Sequence, residues 1–427
     1  MWAHWPTRGW PMVDMTRQMH NETHRIAPQQ PVAAPVNHFH RREALVTPST
    51  SGELRAPNND TLYFSGWFDL SAEPVIVQVP DTADRYYTLA VTDFFNEVTH
   101  LGRRTTGTRA RVFALVGPGW TGELPPGVTA VPLATSQVWI LGRMLVDGER
   151  DFPVALDLVR RIGSAPLSQW RRDAAPAVLP DVPSLPAGQR LDPMGSLEFF
   201  AVLNRWLRVN AARPDEGALL GLFDQIGVGP RSVFSAAALD AATRRGLERA
   251  IADGQALLKA SAQRPLKDVR NGWIFPLALA DYGHDYLSRA GVAFGGYANR
   301  PEETVYVART VDDAGRLMTG ARRYRLYFPP GGLPPVGAFW SISAYDLRTL
   351  ALIDNPLRRY SLGDRTPGLR LQADGSLDLR IQKDPPAEGL ANWLPVGEGA
   401  YLLVVRLYEP QAAVFDGRYK LPPLLED

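Results

Sequence analysis

The amino-acid sequence predicts a mainly β protein of the α+β class, in which two antiparallel β-sandwiches flank a helical middle region. Three observations lead to this prediction. Short runs of β-branched and aromatic residues, bounded by Pro, Gly, Asp or Asn, recur in the first and last thirds of the chain. The stretch between them is rich in Ala, Leu, Arg and Glu, with apolar residues at helical intervals. The order β, α, β also lacks the strict alternation of strand and helix that a Rossmann sheet requires.

The length of the chain predicts more than one hydrophobic core. A chain of 427 residues exceeds the size of one ordinary domain. We divide it into an N-terminal arm (1–57), an N-terminal β-sandwich (58–150), a helical middle region (151–300) and a C-terminal β-sandwich (301–427). The arm is too small for a core of its own and is expected to lie over another part of the molecule.

Individual strands are predicted from apolar and aromatic runs between turn residues. The N-terminal runs are TLYFSGWFDL (61–70), PVIVQVP (74–80), YYTLAVTDFF (86–95), RVFALVG (111–117) and QVWILGRMLV (137–146). The C-terminal runs are YRLYFP (324–329), AFWSISAYD (338–346), LDLRIQ (377–382) and YLLVVRLYEP (401–410). In the last run Leu402, Val404, Arg406 and Tyr408 alternate with apolar residues. One face of this strand is therefore apolar, and the other carries a charge and a phenol.

Helices are predicted where apolar residues recur at helical intervals. These segments are 12–19 in the arm, the surroundings of Val154, Leu158 and Ile162, those of Phe200, Leu203 and Leu207, and those of Leu247, Ile251 and Leu258. A last helix is predicted over 277–294, because the glycines at 295 and 296 accept the left-handed conformation that ends helices. The proline-rich stretch 164–196 is predicted to be an irregular connection.

The charge balance and the absence of cysteine exclude several classes of function. The 46 basic and 45 acidic side chains leave a formal charge of +1, so no long-range field favours nucleic acid as a partner. No stretch reaches the roughly 18 uninterrupted apolar residues of a membrane span. Without cysteine, disulfides, thiolate metal sites and cysteine nucleophiles are excluded. As given, the chain is expected to be cytoplasmic, although an export signal removed before residue 1 would leave no trace.

The first candidate site is the segment 57–63, with the sequence PNNDTLY. Asn and Asp favour a turn into the following strand, because their short side chains bond backbone amides. That interpretation does not account for Thr61 and Tyr63, which project from one face of the new strand beside Asp60. We therefore consider Asp60 and Tyr63 as catalytic groups, with Asn59 and Thr61 as substrate-binding residues.

A second candidate site follows the third N-terminal run. Asp93 is followed by His100, Arg103 and Arg104 near a strand end. Such groups could bind an oxyanion and move a proton near neutral pH. Equally, Asp93 could pair with Arg103 to close a loop, and both interpretations stay open. In the functional interpretation Asp93 is catalytic and Arg103 binds substrate.

A third candidate cluster lies near the C-terminus. Aromatic residues at strand spacing usually belong to a core, and this applies to Phe339. Trp340 points to the opposite face and could line a cavity. Tyr345 and Arg359 complete the predicted substrate-binding set, because a phenol and a guanidinium can orient an anionic molecule.

Four histidines in the arm suggest a metal site as a further hypothesis. His20 and His24 stand four residues apart, and His38 and His40 flank one residue. These spacings place each pair on one face of a helix or a strand. The surrounding sequence lacks the His-Glu-x-x-His order of zinc proteases. Histidines that make ordinary hydrogen bonds explain the same pattern, and we predict no cofactor.

Several multi-residue motifs resemble a known pair of domains. The N-terminal motifs are GWPMV (9–13), Asn37-x-Phe39, PNNDTLY (57–63), Glu73-Pro74, RYY (85–87), Asp93, Gly102-x-Arg104-x-Thr106-Gly107 and Gly117-Pro118. They resemble the bacterial domain of unknown function 1254. The C-terminal motifs are AFWS (338–341), Tyr345-Asp346, Asn355-Pro356, RYS (359–361), DGSL (374–377), NWLP (392–395) and RLY (406–408). They resemble domain 1214, its usual partner.

The resemblance covers nearly the whole chain in order and implies jelly-roll-like β-sandwiches. It implies almost nothing about chemistry. Many relatives begin with an export or lipoprotein signal, whereas this chain starts almost at the first shared motif.

Three functional hypotheses remain at this point. The first is an enzyme without a redox cofactor, acting on a small molecule by hydrolysis, elimination or isomerisation in a pocket between sandwich and helices. The second is a non-catalytic ligand-binding or assembly module, which could be a homo-oligomer. The third is a metal-dependent enzyme that uses the N-terminal histidines. The chain has no P-loop, no Gly-x-Gly-x-x-Gly between strand and helix, and no Gly-x-Ser-x-Gly, which disfavours nucleotide-dependent chemistry and serine hydrolysis.

Overall fold

The computed structural model describes residues 4–24, 34–51, 56–172, 189–210, 213–261 and 268–427. The α-helices in these ranges are α1 (His4–Glu22), α2 (Arg103–Thr106), α3 (Phe152–Arg161), α4 (Glu198–Val209), α5 (Gly217–Asp224), α6 (Ala241–Ser261), α7 (Tyr286–Gly295) and α8 (Ala412–Phe415), with short 3₁₀ helices at Pro214–Glu216 and Ala236–Ala238.

The strands fall into an N-terminal and a C-terminal group. The first group is β1 (His40–Arg41), β2 (Thr61–Asp69), β3 (Val75–Val79), β4 (Tyr87–Asp93), β5 (Val98–Gly102), β6 (Arg111–Val116), β7 (Thr129–Pro132), β8 (Gln137–Leu145) and β9 (Gly163–Pro166). The second is β10 (Val269–Arg270), β11 (Trp273–Ile274), β12 (Thr304–Arg309), β13 (Tyr324–Phe328), β14 (Trp340–Asp346), β15 (Leu362–Gly363), β16 (Leu377–Gln382), β17 (Trp393–Pro395), β18 (Tyr401–Tyr408) and β19 (Leu424–Glu426).

Each group forms a two-sheet sandwich, so the predicted fold class is confirmed. Sheet A has the order β1-β2-β8-β4-β5, and sheet B the order β7-β6-β3-β9. Their inner faces share one core of apolar residues. Sheet C has the order β10-β11-β12-β18-β14-β15, and sheet D the order β17-β16-β13-β19. These two share a second core. The pairing is antiparallel except between β6 and β7 and between β16 and β17, which are parallel.

Close packing within sheet A requires a glycine in β8. The ring of Phe64 on β2 lies over Gly142, where an added Cβ would stand 2.1 Å from the ring. Phe64 also makes an edge contact with Phe39, at 5.6 Å between ring centroids. Any larger residue at 142 would displace this buried aromatic pair, because protein cores have no room for an extra methyl group.

The helices form a third core on the outer face of sheet A. Trp10 of α1 contacts Phe199 of α4 and Phe294 of α7, with ring centroids 6.3 Å and 5.7 Å apart. Trp67 of β2 and Trp139 of β8 project into the same core from sheet A. The arm therefore contributes a helix to a shared core, as its small size requires.

The outer face of sheet A is divided between two neighbours. Trp67 and Trp139 lie under the helical core. At the other end of the same strands, Tyr63 packs with Tyr345 and Val404 of sheet C. The second faces of sheets A and C therefore meet directly, so the two sandwiches contact each other without intervening helices.

Several boundaries differ from the sequence-based ones. The N-terminal sandwich extends beyond 58–150, since β1 and β9 pair onto its sheets. The C-terminal sandwich extends before 301, since β10 and β11 join sheet C. These edge strands are two to four residues long, too short to show a period of two. Of the predicted connection 164–196, residues 173–188 lie outside the described residues.

The predicted helix over 277–294 is wrong in its first half. Ala280 and Gly283 have φ of 60° and 52°, which right-handed helices do not contain. Helix α7 begins only after Asp285, whose side chain caps it by accepting the N–H of Ser288. Among the described residues, no helix combines the length and apolar composition needed to cross a bilayer.

Candidate functional site

The contact between sheets A and C contains a polar cluster, which we call the inter-sandwich cluster. Its members are Asp60, Tyr63, Arg143, Tyr306, Ser341, Ser343, Tyr345, Ser361, Arg406 and Tyr408. Polar residues at such density inside a contact between two folded units are unusual, because burying them costs free energy unless each finds a partner.

Strand register explains how these residues come together. In sheet A, Tyr63 on β2 lies opposite Arg143 on β8. In sheet C, Arg406 on β18 lies opposite Tyr306 on β12 and Ser341 on β14. Residues two apart on a strand share a face, so β18 also presents the phenol at 408 to sheet A. The polar face predicted from the alternation of the last run is therefore directed at the other sandwich.

Arg143 is a buried cation without an ion pair in the described part of the chain. The residue is 7% exposed. One guanidinium nitrogen donates to Asn299 Oδ1 at 3.0 Å, and the group lies 5.4 Å from the ring centroid of Tyr63. Burial acts to lower the pKa of Arg143, but the surrounding phenols raise it above its ordinary value. The guanidinium therefore carries its charge near neutral pH.

Arg406 is a second buried cation in the same cluster, at 2% exposure. Its Nη2 donates to the hydroxyl of Tyr345 at 2.6 Å and to the carbonyl of Ala56 at 2.7 Å. Burial acts to lower its pKa, but Tyr345, Tyr408 and other neighbours raise it. Its guanidinium lies 5.4 Å from the ring centroid of Tyr345.

The two guanidinium groups share their phenol neighbours. Burial raises the pKa of Tyr306, and both Arg143 and Arg406 oppose that rise. Tyr63 and Tyr408 likewise interact electrostatically with both cations. The two arginines are therefore within electrostatic range of one small set of phenols, in a contact from which water is largely excluded.

Three buried polar atoms of the cluster have no hydrogen-bond partner among the described residues. They are Nη1 of Arg406, the hydroxyl of Tyr408 and Oγ of Ser343. These residues are 2%, 1% and 0% exposed. Buried polar atoms are nearly always paired, so the unpaired donors of Arg406 and Tyr408 on β18 mark a place where an additional group could bind. Ser343 Oγ lies beside the Tyr345 hydroxyl, and hydrogen bonding between these side chains acts to lower the pKa of Tyr345.

Asp60 stands at the partly exposed edge of the cluster. Its Oδ2 accepts the hydroxyl of Ser341 at 2.6 Å, and its Oδ1 accepts that of Ser361 at 2.9 Å. The preceding turn is held by Asn58, whose Oδ1 accepts the backbone N–H groups of residues 60 and 61 and the hydroxyl of Thr61. The turn interpretation of the segment thus applies to Asn58, while Asp60 reaches the other sandwich.

The other predicted residues of this segment have structural partners. Asn59 donates to the carbonyl of Val46 at 2.6 Å. The Tyr63 hydroxyl accepts the backbone N–H of Asn58 at 3.1 Å. Tyr345 donates its hydroxyl hydrogen to the carbonyl of Pro57 at 2.6 Å. Thr61 is buried against Asn58 and is not directed at the arginines.

A second group of polar residues borders the cluster. Glu303 accepts the hydroxyl of Tyr86 and Nε of Arg104, both at 2.9 Å. His100 lies between the Thr88 hydroxyl at 3.0 Å and the backbone N–H of Arg300 at 3.2 Å. Burial and three neighbouring arginines lower the pKa of His100 to about 3. The imidazole is therefore neutral near pH 7.

Asp93 does not share a pocket with Asp60 and Tyr63, which corrects the predicted catalytic group. On β8 the partner of Thr61 is Leu145 and the partner of Asp93 is Val138. Seven residues of extended strand separate these positions by about 23 Å. Asp93 Oδ1 accepts the backbone N–H groups of Phe95 and Glu97 at 2.9 Å and 3.0 Å, so this carboxyl fixes a turn beneath the helical core.

Three predicted substrate-binding residues are likewise not directed at Arg143 and Arg406. Arg103 pairs with Glu409 at 2.5 Å and with Asp84 at 3.3 Å, and it does not pair with Asp93. Arg359 donates to the backbone carbonyls of Leu390, Ala391 and Trp393 and thereby holds a loop. Trp340 is 2% exposed in the core of the C-terminal sandwich, against Phe328. Trp340 faces the sandwich core because β14 turns its odd-numbered residues toward sheet A.

Three of the four arm histidines, His20, His24 and His38, make hydrogen bonds to backbone oxygens. The rings of His20 and His24 lie 5.2 Å apart at the end of α1. His24 Nδ1 is 2.8 Å from the carbonyl of His20, and His38 Nδ1 is 2.9 Å from that of Val36. Within the described ranges, no group of three or more His, Asp or Glu is arranged to hold a metal ion.

Sequence reasoning missed Arg143 and did not assign Arg406 to a site. A signal for both was present, since each is a lone cation within an apolar strand, QVWILGRMLV and YLLVVRLYEP. A charge at such a position is either at an edge or directed at a second polar face. Choosing between these requires the packing of the two sheets, which the strand pattern alone does not supply.

Comparison with known proteins supports the sequence-based resemblance. Residues 36–166 match the family "Protein of unknown function (DUF1254)", and residues 303–412 match the family "Protein of unknown function (DUF1214)". No curated protein matches the chain.

One solved structure supports the fold, and a second is more distantly similar. The crystal structure of the VPA0106 protein from Vibrio parahaemolyticus is 23% identical, has a TM-score of 0.75, and is matched over 100% of this chain and 99% of that one. A putative uncharacterized protein from Burkholderia cenocepacia is 12% identical with a TM-score of 0.45, over 98% of this chain and 87% of that one. The chain thus combines an N-terminal region that matches the DUF1254 family with a C-terminal region that matches the DUF1214 family.

Proposed function

We propose that this protein binds a small anionic molecule at the inter-sandwich cluster and acts on it without a redox cofactor, by acid–base chemistry. The anion would lie between Arg143 and Arg406, within reach of the phenols that surround them. In this proposal the site lies between the two sandwiches. The sequence-based expectation is a pocket between sandwich and helices, a region that serves here as a structural core.

The observation that carries the proposal is a surplus of buried positive charge. Arg143 and Arg406 have no ion pair within the described ranges, whereas Asp60 is engaged by two serine hydroxyls. A buried charge without a counterion is costly. An anion would reduce this cost, and arginine suits the purpose because its planar group binds carboxylate or phosphate through two parallel hydrogen bonds.

The unpaired atoms give the proposed site its shape. Nη1 of Arg406 and the Tyr408 hydroxyl can donate to an anion, and Oγ of Ser343 can donate or accept. Asp60 is the carboxylate that interacts electrostatically with these groups, since its charge acts to raise the pKa of both Tyr408 and Arg406. We assign Asp60 the role of proton acceptor and Tyr408 that of a hydrogen-bond donor to the bound molecule.

A second candidate, a non-catalytic binding module, is favoured by the surroundings of Asp60. Both of its carboxylate oxygens already accept serine hydroxyls. A general base must reach the proton that it abstracts, and here the serines would have to turn away first. The same two arginines would then hold a ligand that leaves unchanged.

Calorimetric titration with four anions tests the proposal. Acetate, succinate, benzoate and inorganic phosphate are titrated at constant ionic strength into the full chain and into Tyr408→Phe and Arg406→Met. At least one anion is expected to bind the unchanged protein, with a Kd at least 10-fold weaker in each variant. Tyr408→Phe is the sharper test, because the hydroxyl of Tyr408 has no partner to lose in the part of the chain that the structure describes. Arg150→Gln, an exposed position, is the matched control.

The outcome separates the two candidates. Proton NMR of the bound anion after incubation reveals either a changed molecule, which supports catalysis, or an unchanged one, which supports the binding module. Exchange of its C–H protons with deuterium also supports catalysis, and Asp60→Asn should abolish it. Binding that is equal in Arg406→Met, Tyr408→Phe and the unchanged protein would overturn both, as would the absence of binding by all four anions.

A further inference from the structure

A second concentration of positive charge surrounds a cavity at one end of sheet B, far from the inter-sandwich cluster in the fold. The cavity has a volume of about 690 Å³. Its lining comes from the end of β3, the start of β6, the segment before β7, the end of α3 and the segment after β9. The arginines among the lining residues are Arg109, Arg111, Arg161 and Arg172.

The lining contains no carboxylate to balance these charges. Arg161 has one ion pair, with Asp157 on the same helix at 3.6 Å. Within the part of the chain that the structure describes, no ion pair reaches Arg109, Arg111 or Arg172. By contrast Arg160, the sequence neighbour of Arg161, points elsewhere and pairs with Glu43 at 2.6 Å. Acidic partners are thus available to arginines of this region, but only outside the cavity.

The simpler interpretation is that exposed arginines are merely solvated, and the geometry argues against it. The four residues come from three separate segments of chain, yet all line one concave surface. Like charges brought together in this way repel each other unless an anion lies between them. A convex surface with the same composition would let the side chains separate into water.

Arg172 is also held in position by the protein. Its Nη2 donates to the carbonyl of Pro126, and its guanidinium lies 5.4 Å from the ring centroid of Trp170. Trp170 donates to Gln78 Oε1 at 3.1 Å, and Gln78 Nε2 donates back to the carbonyl of Arg172 at 3.2 Å. A positioned arginine loses less side-chain entropy on binding than a free one.

We infer that this cavity is a binding site for a small molecule carrying two or more carboxylate or phosphate groups. A volume of this size suits a compact organic ligand. Three guanidinium groups that lack an ion pair within the described residues favour a ligand with several negative charges over one with a single charge, because each group can bind two oxygens of one carboxylate or phosphate. The site is separate from the proposed function of the inter-sandwich cluster and does not depend on it.

The test compares multivalent with monovalent anions. Citrate, inorganic pyrophosphate and acetate are titrated calorimetrically at constant ionic strength into the full chain, Arg111→Gln/Arg172→Gln and Arg109→Gln. Citrate or pyrophosphate is expected to bind, with a Kd at least 10-fold weaker in the double variant and about 3-fold weaker in the single one. Acetate should give no signal that these variants alter. Whichever of citrate and pyrophosphate binds more tightly distinguishes carboxylate from phosphate as the preferred group.

Two control variants keep the outcome specific. Arg150→Gln, an exposed arginine outside the cavity, should leave the affinity unchanged. Arg406→Met should leave it unchanged as well, which separates this site from the inter-sandwich cluster. The inference is overturned if neither multivalent anion binds at millimolar concentration, or if Arg150→Gln weakens binding as much as the double variant does. Arg109, Arg111, Arg150 and Arg172 are exposed, so thermal unfolding of the variants at these four positions should match that of the unchanged protein.

Discussion

Polar residues lie at both ends of the outer face of sheet A, and they differ in whether their charges are paired. At the end beneath the helices, Asp93 accepts two backbone N–H groups and Arg289 pairs with Glu97 at 3.1 Å. At the end against sheet C, Arg143 and Arg406 have no such carboxylate in the described residues. Similar residue types at the two ends of this face thus form an ion-paired network at one end and leave two cations without a carboxylate at the other. The network is not fully hydrogen-bonded, since Nε and Nη1 of Arg289 have no partner among the described residues.

Under the proposed function, the ion-paired end serves stability and the end with the unpaired cations serves binding. A buried ion pair and a turn held by hydrogen bonds stabilise the fold by joining neighbouring elements. A buried cation that lacks a counterion reduces stability, and a protein retains such a group where it serves another purpose. The comparison can be tested by replacing equivalent groups at the two ends.

The largest expected difference is between the two buried arginines. Arg289→Met removes one of the two arginines that pair with Glu97, together with a hydrogen bond to the carbonyl of Gly283, and should lower the free energy of unfolding by about 2–4 kcal/mol. Arg406→Met removes a buried cation without an ion pair in the described residues. The relief of that charge offsets the lost hydrogen bonds to Tyr345 and Ala56, so we expect the free energy to change by less than about 1 kcal/mol. Urea denaturation followed by tryptophan fluorescence measures both. Equal losses at the two positions would contradict the contrast between the ends.

The next effect concerns the pH dependence of stability at the helical end. Burial raises the pKa of Asp93 to about 7, above that of the unfolded chain. A raised folded pKa contributes stability that is complete below about pH 4 and is lost as the pH rises toward 7. Asp93→Asn cannot titrate, so the unfolding free energies of the two proteins should diverge by about 3 kcal/mol across this range.

Urea denaturation at half-unit steps from pH 4 to pH 7.5 measures this divergence. Because the unchanged protein and Asp93→Asn share every other titrating group, the difference between them isolates one carboxyl. Parallel curves would mean that Asp93 titrates in the folded protein as it does in the unfolded chain.

How far the sequence could predict these features depends on whether the signal is local. The runs 61–70 and 401–410 correspond to β2 and β18 within two residues at either end, because alternation and turn residues are properties of neighbouring positions. Helix α1 is longer than the predicted 12–19. The prediction is too short because Pro6 and Pro11 argue against a helix that starts at His4. Burial of Trp10, Met12 and Val13 in the helical core compensates for the prolines.

Convergence of side chains could not be predicted in the same way. Asp60 and Asp93 looked equivalent because each lies at a strand end beside polar residues. Whether two strand ends meet depends on strand order and direction. Here β2 and β4 both run antiparallel to β8, so the start of β2, next to Asp60, and the end of β4, at Asp93, lie at opposite edges of the sheet. Likewise, Arg359 looked available for an anion, but the loop 390–393 that occupies it is more than 30 residues distant in sequence.

A smaller effect is expected for Asp60, which joins the two sandwiches. Asp60→Ala leaves the hydroxyls of Ser341 and Ser361 without their acceptor and should lower the free energy of unfolding by about 1–2 kcal/mol. Asp60→Asn keeps one acceptor oxygen and should lose less. Thermal and urea unfolding of both variants measure the difference. A loss as large as that of Arg289→Met would mean that this end is a structural network as well.

The smallest effect compares two phenols within the inter-sandwich cluster. The Tyr63 hydroxyl accepts the buried N–H of Asn58 at 3.1 Å, so Tyr63→Phe should cost about 1 kcal/mol of unfolding free energy. The Tyr408 hydroxyl has no partner among the described residues, so Tyr408→Phe should change it by less than about 0.5 kcal/mol. If Tyr408→Phe is clearly the more damaging, its hydroxyl has a structural partner and is not available to a ligand. If Tyr408→Phe leaves the free energy of unfolding unchanged yet weakens anion binding, the Tyr408 hydroxyl contributes to binding and not to stability.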